Sequence, residues 1–223
     1  MSAVAILLAA GRGERLGAGV PKAFVEVAGE SLLARAVVAL EQTPGADGFV
    51  VAAPAGHEDE AKAVASRSAK LLTVLTGGET RQASVLLALQ AVPAETTGVW
   101  CHDVARPFAT PELYARVLGG LADADGAVPA LPVADTVKRV RGDHVLETLP
   151  RDGLVLVQTP QAFRREALEE AHRRAEEQGW EATDDAGLLE RAGFRVAVVP
   201  GDPGNLKITS ADDLARVRER AGG

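Results

Sequence analysis

An unbroken apolar and small-residue stretch over residues 3–10 ends in the polar, glycine-rich segment Gly11-Arg12-Gly13-Glu14-Arg15-Leu16-Gly17. A run without alternation predicts a strand buried on both faces of an open sheet. The same pattern returns at 49–53, 71–75, 98–102, 127–132, 154–158 and 194–199. Between these runs apolar positions recur at helical spacing. Leu32, Leu33, Ala36, Val37 and Leu40 form one face behind a capping Ser31, and Thr43-Pro44-Gly45 stops that helix. A polar helix is expected over 57–65, and another carries Val85, Leu86, Leu89 and Val92 on one side. Thr110 with Pro111 opens the next, proline sitting where a missing N–H costs nothing. A charged helix over 164–178 ends at Gly179, Thr183 caps one over 184–191, and Ser210 with Asp213 forms a capping-box variant for the last.

Strand alternating with helix predicts an α/β fold, a mainly parallel doubly wound Rossmann-like sheet. One stretch breaks the rhythm. Residues 135–140 and 145–149 flank Arg141-Gly142-Asp143-His144 and read as a β-hairpin. Its second face has few bulky residues and such a hairpin is marginal alone. We expect an arm spanning about 133–153 that projects from a single 1–223 domain and packs on a second copy, the alternative being an edge folded back on its own sheet.

Composition narrows the partners. At 47% hydrophobic and 4% aromatic residues, the core is built mostly of Ala, Val and Leu. A net charge of −7 argues against nucleic acid as the main partner but allows a small anion if cations gather locally. The single cysteine, Cys101, excludes an internal disulfide and fits a reducing cytoplasm. It precedes His102, but adjacent strand residues point to opposite faces, so a nucleophile pair is not expected and both read as structural. The first apolar run lacks a basic leader and is not read as a signal peptide, and no run is long enough for a membrane span.

Candidate chemistry collects in the turns. Arg15, Lys22, Arg81, Arg106, Arg151 and Lys207 lie in predicted loops or just past strand ends, beside glycine or proline. A glycine-rich turn after a buried strand lets backbone N–H groups approach an anion, and flanking cations neutralise its charge. Leu16 occupies the position where a dinucleotide fingerprint needs its third glycine, and no Gly-Lys-Ser/Thr follows Gly11 at P-loop distance. A phosphate-gripping loop of another kind remains, suited to nucleotidyl transfer, in which catalysis is mostly positioning and charge stabilisation. Asp103 ends a strand three residues before Arg106 and could serve as a turn-former, bind hydroxyls or orient a metal-bound water. Asp184 and Asp185 read as helix N-terminal charge rather than metal ligands.

These motifs together resemble the 2-C-methyl-D-erythritol 4-phosphate cytidylyltransferase family. The match runs nearly end to end: Leu8 to Leu16 with Pro21-Lys22, Gly77-Gly78-Glu79-Thr80-Arg81 with Ser84-Val85, His102 to Pro107, Asp135 to Lys138, Arg151, Thr159-Pro160-Gln161, Thr183-Asp184 and Asn205 to Thr209. The resemblance implies a nucleotidyltransferase-type sheet and transfer of CMP from CTP to the polyol phosphate, with Mg²⁺ held mainly by the CTP phosphates. By position, Arg15 and Lys22 would stabilise the triphosphate, and Arg151 and Lys207 would position the attacking phosphate. Ala9, Ala10, Gly11, Gly13, Gly78, Glu79, Ser84 and Val104 would contact CTP. Asp103, Arg106, Thr136, Thr159 and Thr183 would surround the methylerythritol phosphate, with Thr136 and Arg151 reaching in from the partner arm of a homodimer.

Two positions depart from the family pattern: Ala83 replaces an acidic residue and Val104 an alanine. A ribitol-5-phosphate cytidylyltransferase and a non-catalytic nucleotide-binding regulatory domain are the rival readings. A nucleotide-sugar glycosyltransferase would need an Asp-x-Asp motif, and Asp103-Val104-Ala105 lacks the second acid.

Overall fold

The computed structural model describes residues 2–11, 13 and 19–222, the side chains of 220–222 excepted. Its sheet begins with β1 (Ala3–Leu8), β4 (Ala46–Ala53), β5 (Leu71–Thr76) and β6 (Gly98–Asp103). It continues with β7 (Gly126–Pro132), β10 (Val155–Val157), β11 (Gln161–Arg164) and β12 (Val196–Pro200). The order is β5-β4-β1-β6-β11-β7-β12, with β10 also paired to β7. β10 and β11 run antiparallel to their neighbours, and every other pairing in this sheet is parallel. The parallel strands therefore end along one rim, where ligands of open α/β sheets bind.

The strands β1, β4, β6 and most of β7 are buried on both sides, whereas β5, β10 and β12, which the same pattern placed inside, lie at the sheet's edges and are half-exposed or exposed. In β1, Ala3, Ala5 and Leu7 join one core layer, whereas Val4 and Ile6 join the other. The first layer packs under α1 (Leu32–Glu41), α2 (Glu58–Ala65) and α4 (Pro111–Gly119) through Leu33, Val37, Leu40, Ala61, Leu113 and Tyr114. The second packs under α3 (Arg81–Gln90), α5 (Arg165–Gln178) and α6 (Asp185–Arg191) through Val85, Leu89, Leu168 and Leu189. Each fully buried large side chain of this kind contributes about 1.5–3 kcal/mol. Cys101 faces the second layer, while the His102 ring stands 5.4 Å from that of Tyr114 in the first, so the two side chains diverge as expected.

Several elements differ from the sequence expectation. The segment after Thr159, to which the pattern assigns no element, forms β11, a strand too short and too polar at Gln161 and Arg164 to read as one. A small hairpin of β2 (Glu26–Val27) and β3 (Glu30–Ser31) also escapes the pattern. Asp184, not Thr183, caps α6, its carboxylate accepting the Gly187 N–H at 3.0 Å. The arm is β8 (Val137–Arg141) paired with β9 (His144–Leu149) as a separate two-stranded sheet, not an edge of the main one.

The last helix, α7 (Ala211–Gly222), packs Leu214 and Val217 with Ile208 against Val25, Val27 and Leu32. Its start is reciprocally capped: Asp213 N–H donates to Ser210 Oγ at 3.2 Å, and Ser210 N–H to Asp213 Oδ2 at 2.9 Å. Hydrogen bonds from Thr209 and Ser210 pull the Asp213 carboxyl down to about 2. Ser210→Ala should cost about 1 kcal/mol of stability, read from urea melts.

Candidate active site

The rim holds two adjoining regions. At the end of β1, Ala9 N–H continues the ladder to the Ala52 carbonyl at 2.9 Å, and Gly11 lies exposed beyond it. The neighbouring Gly77-Gly78 turn has no room for side chains. A Cβ on Gly77 would stand 2.4 Å from Ala10 Cβ, and one on Gly78 would stand 2.5 Å from Ala83 Cβ. Gly13 adopts a positive φ of 67°, and a Cβ there would stand 2.8 Å from Lys22 Cβ. Only glycine lets these backbones approach so closely. Lys22 opens a 3₁₀ turn, Lys22–Phe24, immediately after Pro21, which fixes where the lysine enters the rim. Arg15 lies outside the described residues.

Of the other residues expected at the nucleotide, Glu79 is exposed and Ser84 is buried, its hydroxyl donating to the Thr80 carbonyl at 2.9 Å. Thr80 caps α3 by accepting the Ala83 N–H. The Val104 N–H donates to the Leu8 carbonyl at 3.3 Å.

The second region is a cavity of about 240 Å³ beside the β6 terminus. It brings together Asp103, Arg106, Thr159, Thr183 and Lys207, five of the residues expected at the alcohol phosphate, together with Arg81, Gln161 and Asp184. The antiparallel insertion of β10 and β11 makes this possible by carrying Thr159 and Gln161 back to the β6 end. Asp103 N–H donates to Thr159 Oγ1 at 3.1 Å, and Gln161 Nε2 donates to Asp184 Oδ2 at 2.6 Å. Arg106 donates to the Asn205 carbonyl at 2.9 Å. Thr136 and Arg151 do not line this cavity. They belong to the arm, where Arg151 donates to the Ala134 carbonyl. A larger groove of about 620 Å³ lies at Val38 and Phe108, but its cation, Arg35, is occupied by the Val27 carbonyl and the Phe108 ring.

Asp103 is paired from two sides in the small cavity. Lys207 Nζ donates to Asp103 Oδ2 at 2.6 Å and Arg81 Nε to Asp103 Oδ1 at 3.2 Å. Arg81 Nη1 donates to Asp185 Oδ2 at 2.6 Å, and Asp185 Oδ1 lies 3.2 Å from His172 Nε2. Burial would raise the Asp103 carboxyl, but Arg81 and Lys207 outweigh it and hold it well below the usual carboxylate range. Burial opposes the Arg81 charge too, yet Asp185 and Asp103 keep the guanidinium protonated beyond its ordinary range. Asp185 is likewise held low against its burial by Arg81 and His172.

His102 behaves oppositely: burial pulls its imidazole down to about 3, Asp103 opposing only in part. Because an unfolded histidine titrates near ~6.5, the unfolded chain takes up this proton first as pH falls. The fold therefore loses stability between about 6.5 and 3. This group should contribute a loss of roughly 2 kcal/mol between about pH 6.5 and 5. Urea melts at the two pH values should show that loss shrink in His102→Gln.

Arg81, Asp185 and His172 are the members sequence reasoning underweighted. Arg81 was only one cation among several, and Asp185 read as helix-terminal charge. His172 had a signal: it falls four residues after Leu168, on the stripe of Ala167, Leu168, Ala171 and Ala175 that α5 buries.

Among the described residues no three His, Cys, Asp or Glu side chains converge to hold a metal ion, and no helix is long and apolar enough to cross a membrane.

The family model for IspD, 2-C-methyl-D-erythritol 4-phosphate cytidylyltransferase, matches residues 3–219. The chain is 51% identical over 211 residues to the enzyme of that name from Deinococcus radiodurans, covering 95% of this chain and 86% of that one. It is 49% identical over 223 residues to the one from Saccharopolyspora erythraea, covering 96% and 97%. The crystal structure of the Thermus thermophilus enzyme superposes with a TM-score of 0.83 at 38% identity, covering 100% of both chains. With the match running from the first strand into the last helix, the chain belongs to the 2-C-methyl-D-erythritol 4-phosphate cytidylyltransferase family.

Proposed function

We propose that this chain joins CTP to 2-C-methyl-D-erythritol 4-phosphate, giving 4-diphosphocytidyl-2-C-methyl-D-erythritol and pyrophosphate. The observation that supports it most is the polyol-sized cavity at Asp103, Thr159 and Lys207, opening at the same rim as the close-packed glycine turns and Lys22. An oxygen of the substrate phosphate attacks the CTP α-phosphorus; that P–O bond forms as the bond to the β-phosphate bridging oxygen breaks and pyrophosphate leaves. A phosphate monoester with a second pKa of ~6 is mostly dianionic at neutral pH, so no strong general base is required. What the reaction needs is positive charge between two polyanions. Lys22 and Arg15 serve the triphosphate, Lys207 and Arg106 the incoming phosphate, and Asp103 and Thr159 the polyol hydroxyls.

Mg²⁺ enters as part of the substrate. Asp103 is neutralised by Arg81 and Lys207, and Asp184 is held by Gln161 and the Gly187 N–H, so the phosphates of CTP would supply its main ligands and the ion would offset their charge. The active unit is a homodimer in which the partner's arm brings its Thr136 and Arg151 to the cavity. The single, buried cysteine supports a reducing cytoplasm as its compartment.

Pyrophosphate release with each alcohol phosphate tests the assignment. Methylerythritol phosphate should give the higher kcat/KM. Equal or faster turnover of ribitol 5-phosphate, or CTP binding without product, would overturn it.

A further inference from the structure

Building on the cytidylyltransferase reading, the geometry points to a trade of partners inside the cavity. Lys207, the cation assigned to the substrate phosphate, is bonded to Asp103, the carboxylate assigned to the substrate hydroxyls. Each masks the other until substrate arrives. We propose that Arg81 is a positioning residue: it holds Asp103 ionised and in place while Lys207 leaves that carboxylate for the substrate phosphate.

Exposure and anchoring decide which cation moves. The Lys207 side chain is 42% exposed and ends in an ammonium on a flexible stem, so a dianion entering the cavity draws it away from a carboxylate already shared with Arg81. Arg81 cannot follow. Its guanidinium is fixed from behind by Asp185, whose side chain is 1% exposed and is itself held by His172 from α5. When Lys207 departs, Asp103 Oδ2 loses that donor and becomes an acceptor for a polyol hydroxyl. An anionic phosphate then sits beside Asp103, and without Arg81 the carboxylate would be repelled or would take up a proton. The arrangement explains why two cations share one carboxylate: one is spent on the substrate, and the other keeps the carboxylate usable. Arg81 also begins α3, but the nucleotide turn is secured by the Thr80 cap and by backbone packing, so replacing its side chain leaves the CTP region intact.

A double-mutant cycle on the full chain tests this, using Arg81→Gln, Asp103→Asn and the pair. Arg81→Gln should raise KM for methylerythritol phosphate and lower kcat, together on the order of tenfold or more. Its KM for CTP should stay within about twofold of wild type, the margin of independent sites. Because Arg81 acts through Asp103, the double variant should be no worse than Asp103→Asn alone. Additive losses, or equal losses for both substrates as a general structural defect would give, overturn the proposal. If Arg81→Gln fails to fold, Arg81→Lys keeps the charge on one donor and should show the same substrate split, smaller; no split there also overturns it. A wild-type chain that makes no product contradicts the cytidylyltransferase reading itself, whereas an active wild type with an additive cycle removes only the role of Arg81.

Discussion

Replacing Lys22 with alanine is expected to lower kcat by roughly 10²–10³-fold, the loss seen when one preorganised stabiliser of transition-state charge is removed. The residue is well placed for that role. Pro21 and the 3₁₀ turn set its backbone, and Gly13 packs against its Cβ at a distance no other residue would allow. Charge on the triphosphate grows as pyrophosphate departs, so an ammonium placed there would act mainly on the transition state rather than on CTP binding. Stability should change little, within about 0.5 kcal/mol, because the side chain is half-buried at an element's start and outside the core. Steady-state kinetics beside a urea melt check both halves. Wild-type turnover in Lys22→Ala would contradict the assignment.

The second large effect concerns the arm. Arg151→Ala and Lys207→Ala should each be nearly inactive, yet a mixture refolded together should recover activity. If the arm crosses to a partner, a mixed dimer contains one complete site: the cavity of the Arg151→Ala chain and the arm of the Lys207→Ala chain. Random pairing makes half the dimers mixed, so about a quarter of wild-type activity should return. The arm leaves apolar surface uncovered by its own chain, with Val140 at 58%, Val145 at 59% and Leu146 at 51% exposure. Isolated hairpins do not hold such surface in water, and a second copy would bury it. A mixture no more active than either variant alone would mean that each site is built within one subunit.

Much of this was legible in the sequence because the main elements declare themselves through burial. A strand such as β1, apolar at every position, can only be central, and caps at Ser31, Thr110 and Ser210 announce their helices. The loops at strand ends then locate the rim without any coordinates. What the sequence hid is non-local. β11 has two apolar residues in four, and its strand character comes from pairing with β6 and β7 on either side. The Arg81–Asp185–His172 chain joins α3, α6 and α5 across 104 positions of sequence, so no local spacing reveals it. Thr183 looked like a cap because threonine is a good one, but Asp184 next to it competes for the same N–H groups and wins with a charged acceptor.

The account turns on one chemical event, formation of a new phosphoanhydride between two anions at this rim. ³¹P NMR of the purified chain with CTP, 2-C-methyl-D-erythritol 4-phosphate and Mg²⁺ observes it directly. The monoester and triphosphate resonances should disappear together while those of a diphosphate diester and of pyrophosphate grow in equal amounts. CTP that stays intact, or is hydrolysed to CMP while the monoester signal persists, would contradict it.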